Sequence, residues 1–114
     1  MKFLAIYTPD ADRTCDDEPM QQQRLGELIE QGFREGYLLS TGGLMPQGGA
    51  RLQRRGTQIS ITDGPYSEAK EVIAGYALIQ AESTEAAIEY SRRFLAVAGD
   101  GNTDLHLIVE GDPA

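Results

Sequence analysis

Residues 59–81 read ISITDGPYSEAKEVIAGYALIQA, and this stretch decides the fold. It begins with an alternating apolar and polar run, passes through Asp63-Gly64-Pro65, and ends in the apolar run 72–81. Aspartate, glycine and proline together are typical of a turn, so we predict that a strand stops there. The run 72–81 is apolar at consecutive positions, which predicts a central strand with neither face left to water.

Working outward from this strand, the rest of the chain divides into further strands and two helices. The pattern predicts strands at 2–8, 37–44 and 105–110, a hairpin with arms 50–54 and 57–62, an amphipathic helix at 20–35, and a second helix that Ser83 or Thr84 caps and that ends near Gly99. Residues 99–103 are rich in Gly, Asp and Asn and are predicted to form a loop. The predicted order is therefore β-α-β-ββ-β-α-β.

This order predicts an α+β fold in which a mainly antiparallel sheet carries both helices on one face. A chain of 114 residues fits one domain, so we treat residues 1–114 as a single unit. The sheet would then keep one face uncovered, although its central strand is apolar on both sides. We therefore expect a homodimer in which two copies pack sheet against sheet.

Composition narrows the classes of function that the chain could have. With 10 basic and 18 acidic residues, the net charge is −8 at pH 7, which disfavours direct binding to nucleic acid. The single cysteine, Cys15, excludes an internal disulfide. One cysteine and one histidine, His106, also argue against a structural zinc site, which needs three or four such ligands. We expect no cofactor. The basic cluster Arg51, Arg54 and Arg55 could meet an anionic partner.

The sequence also predicts where the protein resides. No run approaches the roughly 18 apolar residues that a membrane-spanning helix requires. The apolar start at residues 1–7 is too short for a signal peptide. We therefore expect a cytoplasmic protein that does not bind membranes.

The long motif around Asp63 contains Thr62-Asp63-Gly64-Pro65-Tyr66, Glu68, Lys70-Glu71, Gly75-Tyr76, Leu78-Ile79 and Ala81. This motif resembles that of the DGPF group of YCII-related proteins. Further matches are Met1-Lys2 at the start, Gly42-Gly43-Leu44 followed by Pro46, and Glu110 and Pro113 at the end. Tyr66 stands where the family has Phe, and Asp112 stands where the family has Arg.

This resemblance implies a ferredoxin-like α+β fold that assembles as a dimeric α/β barrel. It also implies a possible regulatory link to extracytoplasmic-function sigma factors, beside which such proteins are often encoded. Wider YCII-related proteins are suspected of catalysis through a His–Asp pair in which the histidine lies nearer the N-terminal half. This chain has no histidine there, which weakens that mechanism for it.

Asp63 is the candidate catalytic residue, and two interpretations of it remain open. Its carboxylate could accept backbone hydrogen bonds and only shape a turn. Alternatively, it could point into a cleft beside the Tyr66 ring, where partial removal from water would let it transfer protons. His106 on the last strand is a third candidate ligand-binding residue, because imidazole titrates near neutral pH, although a structural role is more common.

Two functions follow from these residues. The first is a small-molecule-binding or regulatory homodimer, with Asp63, Tyr66 and His106 as candidate ligand contacts. The second is a cofactor-free enzyme of the lyase or isomerase type, in which Asp63 carries the proton. The missing histidine favours the first, and the sequence leaves the identity of the ligand open.

Overall fold

The structure is a computed structural model that describes residues 1–10, 19–45, 47–65 and 73–110. Cys15 and Tyr66, which the sequence analysis discussed, lie outside these ranges. Within them the elements are β1 (Lys2–Pro9), α1 (Pro19–Glu35), β2 (Leu38–Gly43), β3 (Gln47–Arg55), β4 (Gln58–Pro65), β5 (Gly75–Gln80), α2 (Thr84–Ala98) and β6 (Gly101–Leu107). The predicted order of strands and helices is confirmed.

Four of the strands form one antiparallel sheet in the order β2-β5-β1-β6. Leu4 of β1 pairs with Leu78 of β5 on one side and with His106 of β6 on the other. β5 is therefore an inner strand, as its apolar run predicted. It spans Gly75–Gln80 and is shorter than the predicted strand 72–81, of which residue 72 lies outside the described ranges. This order and the two helices make the α+β, ferredoxin-like fold that was expected.

Both helices cover the same face of the sheet, because alternate residues of β1 enter one core. Phe3, Ala5 and Tyr7 are buried, whereas the residues between them are only partly so. Phe3 and Ala5 share this core with Leu38, Ile79, Ala81 and Ala87. We call the opposite face, which carries Leu4, Ile6 and Leu78, the open face of the sheet.

Local capping and one side-chain clamp fix the two helices. The Ser83 hydroxyl accepts a hydrogen bond from the Ala86 amide at 3.1 Å, which makes Ser83 the predicted N-cap of α2. Near the other end of α2, Gln21 of α1 donates from Nε2 to the carbonyl oxygens of Val97 and Ala98, at 2.8 and 3.1 Å. Gln21 thus ties the start of α1 to carbonyls that the end of α2 leaves without helical partners.

The predicted turn at Asp63-Gly64-Pro65 is wrong, because β4 continues through these residues. Asp63 pairs with Ala50 of β3, and Pro65 pairs with Gln47 beyond an irregularity in the register. A proline is tolerated here because it stands at the last position of a strand in a two-stranded sheet. The hairpin is accordingly longer than its predicted arms of 50–54 and 57–62.

The loop predicted at 99–103 is also wrong in part, because β6 already begins at Gly101. Gly101, Asn102 and Thr103 pair with Pro9, Thr8 and Tyr7 of β1. Hydrogen bonding to a neighbouring strand here outweighs the weak strand preference of Gly and Asn. The strand ends at Leu107, three residues earlier than predicted.

β3 and β4 form a separate two-stranded sheet, which we call the hairpin arm. In the described parts of the chain, these strands make extensive contact only with each other. The radius of gyration is 16.3 Å, whereas a compact domain of this length should have about 13 Å. The arm therefore projects from the body of the fold.

The pairing of β1 with β6 gives a test of the fold at Gly101. A Cβ added there would lie 2.6 Å from the Thr8 carbonyl oxygen and 2.9 Å from Pro9 Cα, so Gly101→Ala must displace the β1 backbone. We expect the free energy of unfolding to fall by about 1–3 kcal/mol in urea titrations.

The matched control is Gly26→Ala in α1, where an added Cβ would meet no described atom within 4 Å beyond the neighbouring backbone of its own helix. Alanine replaces glycine in a helix there, so this variant should gain about 0.5–1 kcal/mol. Equal effects of the two substitutions would contradict the close approach of β6 to β1.

Candidate functional site

A cavity of about 550 Å³ lies between α1, α2 and the helix-covered face of the sheet. Its wall is mainly apolar, with Leu25, Leu28 and Ile29 from α1 and Ala5, Ala77 and Ile79 from the sheet. Small side chains such as alanine leave room that larger residues would fill. The cavity therefore exists because helix and sheet are held apart without being fully packed.

Five aromatic residues also line the cavity: Tyr7, Tyr37, Tyr76, Tyr90 and Phe94. The rings of Tyr37 and Tyr90 are stacked, with centroids 3.8 Å apart and planes within 3° of parallel. Tyr7 and Phe94 meet edge to face with centroids 5.2 Å apart. The Arg93 guanidinium lies 5.6 Å from the Tyr90 centroid, so the stacked pair has a cation beside it.

The cavity also has a few polar groups, and one of them has no partner. Ser91 donates its hydroxyl to the Ala87 carbonyl at 2.9 Å, and the Tyr7 hydroxyl lies 3.3 Å from the Asp100 carbonyl oxygen. Among the described residues, Thr103 Oγ1 is the buried side-chain polar atom without a hydrogen-bond partner. A buried hydroxyl in this condition costs about 1–3 kcal/mol, so a ligand atom that bonds to it would recover that energy.

The environment of Tyr37 in the cavity wall shifts the pKa of its phenol. Burial raises the pKa of the Tyr37 phenol above its usual 10.0, because a low-dielectric environment disfavours the phenolate. The positive charge of Arg93 acts in the opposite direction, and the negative charge of Glu35 raises the pKa further. Tyr37 therefore presents a protonated hydroxyl at neutral pH.

The structure places the candidates from the sequence away from this cavity. Asp63 lies on β4 of the hairpin arm, where its residue is exposed. His106 lies on β6 with its side chain on the open face, and it is also exposed. The two strands belong to different sheets, so strand pairing does not bring Asp63 and His106 together. Tyr66 lies outside the described residues, so all three assignments stay predictions.

Sequence reasoning did not find the cavity residues, although some of their signals were present. Tyr37, Tyr90 and Thr103 are more than ten residues apart along the chain, and each fits an ordinary core or surface position. Only the register of Thr103 opposite Tyr7 turns its hydroxyl toward the helices. That register depends on β6 starting at Gly101, which the composition of the segment concealed.

Metal and membrane sites have no support in the described ranges. No group of three or more His, Cys, Asp or Glu side chains there could hold a metal ion. No helix among the described residues is long and apolar enough to cross a bilayer.

The raised pKa of Tyr37 predicts a dependence of stability on pH. Below the unfolded-state pKa of about 10, the Tyr37 phenol is protonated in both the folded and the unfolded state, and its contribution to the free energy of unfolding is fully present. As the pH rises through the higher folded-state pKa, the unfolded chain has already lost its proton, so the contribution is lost. Stability should therefore decline with pH in this range, and Tyr37→Phe should decline less steeply in urea titrations. Identical slopes would contradict the burial of this phenol.

Comparisons with known proteins support the fold. No known family model matches the chain, and no curated protein matches it either. Among solved structures, the chain is similar to 5-chloro-2-hydroxyhydroquinone dehydrochlorinase (TftG) from Burkholderia phenoliruptrix AC1100, in complex with 2,5-dihydroxybenzoquinone. The TM-score is 0.53 at 13% sequence identity, over 97% of this chain and 96% of that one. At this identity the likeness establishes the α+β fold over nearly the whole length.

Proposed function

We propose that this protein binds a small, planar ring compound that carries oxygen substituents, in the cavity between its helices and its sheet. The observation behind this proposal is the unpartnered Thr103 hydroxyl in a mainly apolar cavity of about 550 Å³. Cavities that bind small molecules usually measure about 300–1,000 Å³ and combine apolar walls with a few polar groups. The cavity has this composition.

The aromatic walls favour a planar ligand over a flexible one. The stacked rings of Tyr37 and Tyr90 are flat surfaces, and the edge-to-face pair of Tyr7 and Phe94 adds a second aromatic wall. A planar ring ligand can pack against these aromatic walls in the offset or edge-on arrangements that aromatic rings prefer. The hydroxyls of Thr103 and Tyr37 can donate to or accept from an oxygen substituent on the ring.

The solved neighbour is consistent with a ligand of this class. It was determined with 2,5-dihydroxybenzoquinone, a planar ring with four oxygen substituents. The likeness in fold does not extend to an assigned chemistry, so we propose the ligand class for this chain on the basis of its own cavity.

Membership of the DGPF group of YCII-related proteins is part of this proposal, supported by the motif at residues 62–81 and by the ferredoxin-like fold of the neighbour. The link to extracytoplasmic-function sigma factors rests on that resemblance alone. A net charge of −8 fits a protein regulator better than one that contacts nucleic acid directly. We also propose the cytoplasmic location that the sequence leads us to expect.

The alternative function, a cofactor-free lyase or isomerase, would use Asp63 for proton transfer. A proton carrier of this kind works best when it is partly removed from water beside the substrate. Asp63 is exposed in the single chain and does not line the cavity, so we favour ligand binding over this enzymatic function. We expect Asp63→Asn to leave ligand affinity in the cavity unchanged.

We further propose that the protein is a homodimer whose copies pack open face to open face. Leu4, Ile6 and Leu78 form an apolar centre on that face, and described residues of the helices cover only the other face. Two copies related by a twofold axis would cover both centres at once.

Thr103→Val tests the proposed binding site, because valine keeps the shape of threonine and removes the hydroxyl. We expect this variant to be more stable than the wild type by about 1 kcal/mol, since an unpartnered buried polar group has been removed. The same variant should bind dihydroxybenzenes and dihydroxybenzoquinone about tenfold more weakly in calorimetric titrations.

Ser91→Ala is the matched control in the same cavity, because its hydroxyl is already bonded to Ala87. It should lose stability and change ligand affinity little. No binding of any oxygen-substituted ring to the wild type would contradict the proposed function. Equal affinities of wild type and Thr103→Val would contradict the role of the hydroxyl.

Leu78→Gln tests the proposed dimer through the centre of the open face. We expect the dimer dissociation constant to rise at least tenfold in sedimentation equilibrium, because apolar area no longer leaves water on association. Ile88→Gln is the control, since Ile88 is 42% exposed on α2, away from the open face. A wild-type monomer at micromolar concentration would contradict the dimer.

A further inference from the structure

The hairpin arm has one apolar face that the rest of the described chain does not cover. Leu52, Ile59 and Ile61 are 64%, 64% and 67% exposed. Leu52 pairs with Ile61, and Arg54 pairs with Ile59, so all four side chains lie on the same face of the arm. Asp63, which pairs with Ala50, lies at the far end of this same face. Ser60 and Thr62, which alternate with the isoleucines, lie on the opposite face.

Such an arm is poorly stabilised by itself. A two-stranded hairpin in water is marginal unless one of its faces packs on something. Three large aliphatic side chains side by side are also more than the scattered exposed residues of an ordinary surface. The arm therefore requires a covering surface.

The charge of the arm identifies the kind of surface that it fits. Residues 47–65 contain three arginines and one aspartate, a net charge of +2, so the remainder of the chain must have −10 to give the total of −8. A second copy of this chain thus offers the arm a surface of opposite charge. A nucleic acid would be attracted by the arm but repelled by the body.

We infer that the arm of each copy lies against the body of the other copy and packs the face formed by Leu52, Arg54, Ile59 and Ile61 on it. When the two arms are exchanged about a twofold axis, the body of each copy covers the arm of the other. No uncovered arm is then left to bind a third copy, so the assembly is a dimer. Arg54 lies at the turn end of this face, where its Nε donates to the Gly56 carbonyl oxygen at 2.7 Å, and its other guanidinium N–H groups would meet a carboxylate of the partner.

The size of the arm shows that it extends a dimer interface and cannot replace one. Strands of eight and nine residues give an arm about 30 Å long and about 10 Å wide, so one face covers about 300 Å². Stable dimers bury about 800 Å² on each partner. The inference therefore rests on the proposed packing of open face on open face, to which the exchanged arms add.

The test is sedimentation equilibrium of the full-length protein with paired substitutions on the two faces of β4. Ile59→Gln together with Ile61→Gln should raise the dimer dissociation constant at least 100-fold, because four isoleucines per dimer no longer leave water. Ser60→Gln together with Thr62→Gln places the same side chains on the opposite face and should change it less than threefold.

Two further measurements separate this result from misfolding of the arm. Leu52→Gln on the neighbouring strand should weaken the dimer at least tenfold by itself, and far-ultraviolet circular dichroism should match the wild type for every variant. The double variant with Ile59→Gln and Ile61→Gln should bind dihydroxybenzoquinone as the wild type does, because residues of one chain line the cavity.

The possible results distinguish this inference from the proposals on which it rests. A monomeric wild type would overturn both the dimer and the exchange of arms. A dimer that the isoleucine substitutions leave intact would overturn the exchange alone, and the packing of open faces would stand. Equal weakening by the two pairs of substitutions would overturn the assignment of the apolar face.

Discussion

Two helices cover one face of a four-stranded sheet, and the other features of this protein follow from that arrangement. β1 lies inside the sheet, pairs with β5 and β6, and sends Phe3, Ala5 and Tyr7 toward the helices. The intervening side chains of β1 must then face the other way. Leu4 and Ile6 therefore lie on the open face, which the described parts of the two helices do not cover and which the proposed second copy would bury.

The helix-covered side is only loosely filled, and this explains why it contains a cavity. Several of its buried positions are alanines, and no large side chain of the described residues is completely inaccessible to water. A small domain of this kind has little hydrophobic stabilisation to spare. A ligand that fills the cavity would add to the stability of the fold in proportion to its concentration and affinity.

The hairpin arm and the open face are two surfaces on which aliphatic side chains remain accessible to water. Each has aliphatic side chains that the described part of a single chain leaves exposed or half-buried, and the proposed second copy would cover both. The cavity is different, because residues of the helices and sheet of one chain line it. Ligand binding and assembly can therefore be disturbed separately by substitutions at Thr103, at Leu78, and at Ile59 with Ile61.

The sequence alone predicted the order of the elements, an inner apolar strand that includes β5, and a second helix capped by Ser83 or Thr84. These features depend on the alternation of side chains and on local capping, which neighbours along the chain control. It misjudged Asp63-Gly64-Pro65 and residues 101–103, where local composition favours turns but pairing with β3 and β1 imposes strands. The cavity was decided only by the tertiary structure, because the register of β6 on β1 directs Thr103 to the helices and brings it near residues remote in sequence. Long-range hydrogen bonding and packing set that register, and no local pattern encodes it.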